Sequence, residues 1–120
     1  MIVLVVEDYE PIQTLIKDVL EESGVELIQA TTLKEARNAF EERGDELDLV
    51  AMDACLGTNS PNTLELVREI RMRRGLSFPI MAMSGSPDQQ KDLEFAGCNY
   101  IAPYKPQAPF FLLAIVMAAH

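Results

Sequence analysis

Basic residues are scarce in this chain. Ten lysines and arginines stand against nineteen aspartates and glutamates, a net charge of −9. Non-specific binding to nucleic acid or to an anionic membrane needs a basic surface, so neither is expected here. An acidic balance is compatible with attracting divalent cations. Cysteine is nearly missing too: Cys55 and Cys98 are the only two, with neither metal-ligand spacing nor a disulfide framework. They read as reduced thiols of a cytoplasmic protein. Long hydrophobic runs are also lacking. Met1 to Val6 is too short for a signal peptide and has no basic flank. Phe110 to Ala119 is far shorter than the ~20 residues of a membrane helix. The lone histidine, His120, is terminal, expected to be solvated, and given no chemical role.

The 120 residues, 48% of them apolar, are enough for one packed domain spanning residues 1–120. No repeat, linker or low-complexity segment interrupts them. Short hydrophobic runs alternate with helical patterns. Ile2 to Val6 reads as a strand, followed by a helix after Pro11 with Ile12, Leu15, Ile16, Val19 and Leu20 on one face. Gly24 stops that helix, and Val25 to Ile28 is the second strand. Thr32 and Glu35 form a capping-box pattern ahead of the second helix, which Gly44 follows. Asp48 to Met52 is the third strand. Asn62 with Glu65 is expected to cap the third helix, and Gly75 to end it. Phe78 to Met83 is the fourth strand. Ser86, Pro87 and Gln89 start a helix that Gly97 closes, and a strand near Asn99 to Ala102 precedes a last helix from Gln107 to Ala119. Strand–helix alternation of this kind implies a parallel sheet covered on both faces. Right-handed crossovers favour an α/β, doubly wound, flavodoxin-like (βα)5 fold with five strands in the order 2-1-3-4-5.

Polar residues close several of the buried runs. Glu7 and Asp8 follow the first, Asp53 the third and Ser84 the fourth, and Lys105 comes shortly after the last. Such residues gather at the carboxyl edge of a parallel sheet, where open α/β sheets bind ligands. Two adjacent carboxylates repel each other and recruit a cation; magnesium prefers oxygen ligands and keeps several waters, so Asp8 would bind it directly and Glu7 through water. Asp53 is the candidate nucleophile, able to form an aspartyl phosphate. Ser84 could donate to one phosphoryl oxygen, and Gly85 beside it leaves the backbone open. Lys105 could set a compact charge on another oxygen. Each residue alone has an ordinary reading: Asp8 as a helix start, Asp53 as a turn residue, Ser84 as a loop hydroxyl, Lys105 as a solubilising charge.

Taken together, Val5-Val6-Glu7-Asp8, Leu49 to Asp53, Met83-Ser84-Gly85 and Lys105-Pro106, with the third-helix stretch Leu64 to Arg71, make the chain resemble the receiver domain of two-component response regulators along essentially its whole length. The resemblance implies that Asp53 is the phosphoacceptor for a sensor histidine kinase or phosphotransfer protein. It implies that Glu7, Asp8, Asp53 and the backbone carbonyl of Cys55 surround Mg2+, and that Ser84 and Lys105 sense the phosphoryl group. It implies a cis peptide at Lys105–Pro106, and a signal relayed to the face made by the fourth helix, last strand and last helix. Such a domain is a signalling switch and not an enzyme, beyond its own phosphorylation and dephosphorylation. The alternative is a pseudo-receiver, an interaction module without phosphorylation. A haloacid dehalogenase-type phosphohydrolase fits less well, because it needs a second aspartate where this chain has Cys55.

Three departures from the family pattern stand out. Where a proline is common after the acceptor, this chain has Gly57. The run Gly57 to Asn62 is also roughly two residues longer than the usual loop, and is expected to move more. Three positions before Lys105, where an aromatic switch residue is typical, stands Ala102, with Tyr100 and Tyr104 out of register; serine–tyrosine coupling is expected to be weakened or rewired. Finally, Phe110 to Met117 is apolar all round, where a surface helix should show a polar face. A homodimer or an effector contact through this last helix is the expectation.

Overall fold

In the computed structural model, residues 1–119 are described, and His120 lies outside the described residues. Five parallel strands form one sheet in the order β2-β1-β3-β4-β5. The strands are β1 (Ile2–Val6), β2 (Glu26–Ala30), β3 (Leu49–Asp53), β4 (Ile80–Met83) and β5 (Tyr100–Ala102). The helices are α1 (Glu10–Glu21), α2 (Leu33–Arg43), α3 (Leu64–Arg74), α4 (Pro87–Ala96) and α5 (Ala108–Ala118), with a single 3-10 turn at Lys105–Gln107. Element type and sheet order agree with the sequence reading; boundaries shift by one or two residues. β2, for example, starts at Glu26 and extends to Ala30 because its ladder with β1 continues to the pair Val6–Ala30.

The period-2 alternation of the strands splits the core in two. Leu4, Val6, Val50, Met52, Ile80 and Ala82 face α2, α3 and α4. Val3, Val5, Leu49, Ala51, Met81 and Met83 face α1 and α5. Because both faces are covered, β1 and β3 read as unbroken apolar runs. Every strand therefore ends where its side chains emerge from between two helical layers, on one edge of the sheet.

The local signals are read out unevenly. Thr32 accepts from the Glu35 N–H at 3.1 Å, as the capping box requires, but the Glu35 carboxylate reaches back to the N–H and hydroxyl of Thr31. Ser86 caps α4 by accepting from the Gln89 N–H. The expected cap at Asn62 does not form. Thr63 holds the N-cap position of α3 without a side-chain cap bond, while Asn62 accepts from the Leu56 N–H at 2.8 Å and donates to the Leu56 carbonyl at 2.9 Å. Its amide matches both backbone groups of Leu56, so it closes the loop instead of opening the helix. The Lys105–Pro106 peptide is trans, not cis. Pro106 lies in the first turn of the 3-10 segment, where its fixed φ suits helical geometry and its missing N–H leaves no bond unmade.

Candidate functional site at the carboxyl edge of the sheet

β1 delivers Glu7 and Asp8 to the edge, and β3 delivers Asp53. Glu7 is fully buried, Asp53 nearly so, and Asp8 is exposed. A carboxylate oxygen from each falls within 4.8 Å of the other two. Lys105, half-buried at the start of the 3-10 turn, places Nζ 2.7 Å from Glu7 Oε1 and 3.1 Å from Asp53 Oδ2. Four of the five side chains singled out in the sequence thus share one pocket.

Each carboxylate is held by backbone as well as charge. Asp53 Oδ1 accepts from the Ala54 N–H at 2.8 Å. Asp8 Oδ2 accepts from the Gly57 N–H at 2.9 Å, which ties the loop after β3 to the loop after β1. Gly57 adopts φ +70°, a conformation that favours glycine. Thr63 donates to the carbonyls of Asp53 and Ala54, at 2.7 and 3.2 Å, and fixes the exit of β3 from below. The long loop is therefore pinned at Gly57, at Leu56–Asn62 and at Thr63. Cys55, two residues past Asp53, is half-buried and packs against the core on the α2–α3–α4 side of the sheet.

The electrostatics follow from burial. Desolvation, followed by the contact with Asp53, outweighs the attraction of Lys105 and raises the Glu7 pKa to about 8. At Asp8 a smaller desolvation is overcome by the Gly57 N–H and its neighbours, and the pKa falls. At Lys105 burial works against the charge, but the contacts with Glu7 and Asp53 prevail and the pKa rises. Three carboxylates face one ammonium, so their fully charged form carries an excess of two negative charges. Glu7 Oε1 is buried with Lys105 as a close charge neighbour but no donor in hydrogen-bond geometry. An all-oxygen set with this excess charge and an unsatisfied buried oxygen fits a hard divalent cation.

Ser84 is the fifth residue, and its hydroxyl is engaged elsewhere. It is buried just after β4, donates to Gln89 Oε1 at 2.8 Å and accepts from the Ser86 N–H at 3.2 Å. Gln90 donates to the Ser84 carbonyl at 2.6 Å and to the Pro103 carbonyl at 3.4 Å, so the first turn of α4 spans the ends of β4 and β5. Ala102, at the position of the usual aromatic, is fully buried, and both Tyr100 and Tyr104 are exposed. Sequence reasoning missed Gln89 and Gln90 as partners of Ser84, and Gln13 beneath Glu7. Gln13 sits between Ile12 and Ile16 on the buried face of α1; a polar residue on an apolar stripe was the available signal.

The chain matches the response regulator receiver domain family over residues 3–101. No curated protein matches it. Among solved structures it resembles NtrX from Brucella abortus, with 22% identity and a TM-score of 0.76, over 98% of this chain and 27% of that one. It also resembles a CheY-like receiver domain protein from Methanospirillum hungatei, with 24% identity and a TM-score of 0.75, over 98% of this chain and 91% of that one. Chemotaxis protein CheY4 of Vibrio cholerae is similar at 22% identity and a TM-score of 0.72, covering 98% and 96% of the two chains. This chain thus spans about a quarter of NtrX and nearly all of the CheY-like proteins. At these identities the likeness speaks to the fold, a CheY-like flavodoxin fold. Receiver domains are signalling domains that bind Mg2+ at an acidic pocket and interact with histidine kinases or phosphotransfer proteins. With the match covering most of its length, on a sheet of this strand order, the chain belongs to the response regulator receiver domain family.

Proposed function

We propose that this protein is a phosphorylation-controlled receiver in which Asp53 accepts a phosphoryl group from a phosphohistidine of a sensor kinase or phosphotransfer protein. One Asp53 oxygen attacks phosphorus, an O–P bond forms, the N–P bond breaks, and the imidazole leaves with the electron pair. The observation that carries the reading is the convergence of Glu7, Asp8 and Asp53 within 4.8 Å, with Lys105 against two of them. Glu7, Asp8, Asp53 and the Cys55 carbonyl would hold Mg2+, which when bound neutralises charge on the incoming phosphoryl oxygens.

The remaining work falls to the chain itself. Thr63 and the Ala54 N–H orient Asp53. Lys105 faces the acceptor and can follow a phosphoryl oxygen with its point charge. Ser84 would exchange Gln89 for the phosphoryl group, and that exchange would loosen the first turn of α4, which Gln90 links to the end of β5. The response would thus reach the α4-β5-α5 face through glutamines and not through a tyrosine. This shifts an existing two-state equilibrium instead of creating a new state.

Mass spectrometry after incubation with a small phosphodonor and Mg2+ tests the assignment. A single phosphoryl adduct, lost in Asp53→Asn, is expected. An unmodified wild-type protein would leave the pseudo-receiver reading in its place.

A further inference from the structure

Gln13 lies on the buried side of α1 and is 5% exposed. Its side-chain amide touches neither the carboxylates nor Lys105. Its Nε2 instead approaches three carbonyl oxygens: Glu7 at 3.0 Å, Ala30 at 3.1 Å and Val5 at 3.2 Å. The β1–β2 ladder ends at the pair Val6–Ala30, so these carbonyls mark the place where strand pairing gives way to the acidic turn. Glu7 is thereby tied on both sides, its N–H donating to Ala30 at 3.0 Å and its carbonyl accepting from Gln13. Outside Gln13, the exposed Gln29 of β2 donates to Gln13 Oε1 at 2.7 Å and to the Gln13 backbone carbonyl at 2.8 Å. That bond settles which end of the Gln13 amide faces inward. A flipped amide would present oxygen to three carbonyls and leave Gln29 facing a donor.

We infer that Gln13 is a positioning residue for the acidic pair, setting the turn that carries Glu7 and Asp8, and that Gln29 locks its orientation from the surface. The inference rests on the receiver reading for its consequence, since the turn it sets bears two of the residues assigned to Mg2+. A buried carbonyl left without its donor is costly, and the turn can recover hydration by moving outward. Carboxylates displaced in this way bind a geometry-demanding cation less well. Removing a partner that orients a metal ligand typically weakens affinity about 10–100-fold.

The test uses the whole chain, with Gln13→Leu, Gln29→Ala and, as a control, Val116→Ala, which trims a buried α5 residue on the same face of the sheet as α1. Two readouts are taken: Mg2+ affinity by calorimetry, and backbone 15N–1H shifts in EDTA. Gln13→Leu is expected to weaken Mg2+ binding about tenfold, and Gln29→Ala to weaken it in the same direction but less. Both should move the amide signals of Glu7, Asp8 and Tyr9 without any metal present. Val116→Ala should lower the melting temperature and leave both readouts unchanged. Should Gln13→Leu not fold, the exposed Gln29→Ala decides. Wild-type affinity and unmoved turn signals in the glutamine variants would overturn the inference whatever their stability. A wild-type protein that binds no Mg2+ would instead overturn the receiver reading and the metal consequence with it, while the EDTA shifts would still report on the turn.

Discussion

Glu7, Asp53 and Lys105 show how one pocket can be costly to build. Two buried carboxylates share a single ammonium, and desolvation keeps a proton on Glu7 up to about pH 8. A divalent cation relieves this mismatch, so Mg2+ should stabilise the fold. At ten times its dissociation constant a native-state ligand adds about 1.4 kcal/mol. Thermal melting with and without Mg2+ is expected to show an increase in the wild type and none in Asp8→Ala, which removes a proposed ligand along with its bond to the Gly57 N–H but leaves the buried core untouched. Cys98 gives a pH-dependent signature elsewhere. Burial pushes its thiol from 9.0 up to about 12. A raised thiol pKa means that the native state favours the protonated form. That contribution is intact below pH 9 and is lost as pH rises from 9 toward about 12. Urea midpoints across this range should fall more steeply for the wild type than for Cys98→Ala. At pH 8, a thiol reagent should label the half-buried Cys55 well before Cys98.

At the scale of elements, α3 is bound to its surroundings by arginines that donate to backbone carbonyls. Arg71 donates to Gly75, Phe78 and Gly97, joining the end of α3 to the entry of β4 and the end of α4. Arg74 donates to Gly44 and Leu47 and stacks 4.3 Å from the Phe78 ring. Arg71→Met keeps the aliphatic length and removes these donors; it should cost about 2–3 kcal/mol in urea unfolding. Thr63→Val preserves shape and leaves the Asp53 and Ala54 carbonyls without the hydroxyl. About 1–2 kcal/mol is the expected loss, together with slower phosphorylation. The caps at Thr32 and Ser86 were legible because a capping bond spans three residues. The role of Asn62 was not, because its partner Leu56 is set by how the loop folds back.

For the molecule as a whole, α5 is the element whose packing is incomplete in the monomer. Ala108, Leu112 and Val116 are buried against the sheet, while Phe110, Phe111 and Met117 stay exposed. A groove of about 460 Å³ runs beside the helix, lined by Met81, Tyr100, Phe111 and Ile115 among others. The helix is apolar all round, so one side meets water in the monomer. Association of two copies through this face is therefore the proposal. Light scattering should show concentration-dependent dimers, strengthened by phosphorylation and weakened in Phe111→Glu. A wild-type protein that stays monomeric at high concentration in both states would refute it. Among the described residues, no helix is long and apolar enough to cross a membrane.

Strand identity, sheet order and the positions of Glu7, Asp8, Asp53 and Lys105 could be derived from the chain alone. Apolar period, punctuation by glycine and proline, and the rule that strands deliver polar residues to one edge all act locally or follow from handedness. Only the tertiary structure decided which partners the buried polar groups take. It gave Ser84 to Gln89, Asn62 to Leu56, and Gln13 to the carbonyls beneath Glu7. Each of these bonds joins a side chain to a group whose position depends on how separate elements pack, and a hydrogen bond is selective over a few tenths of an ångström.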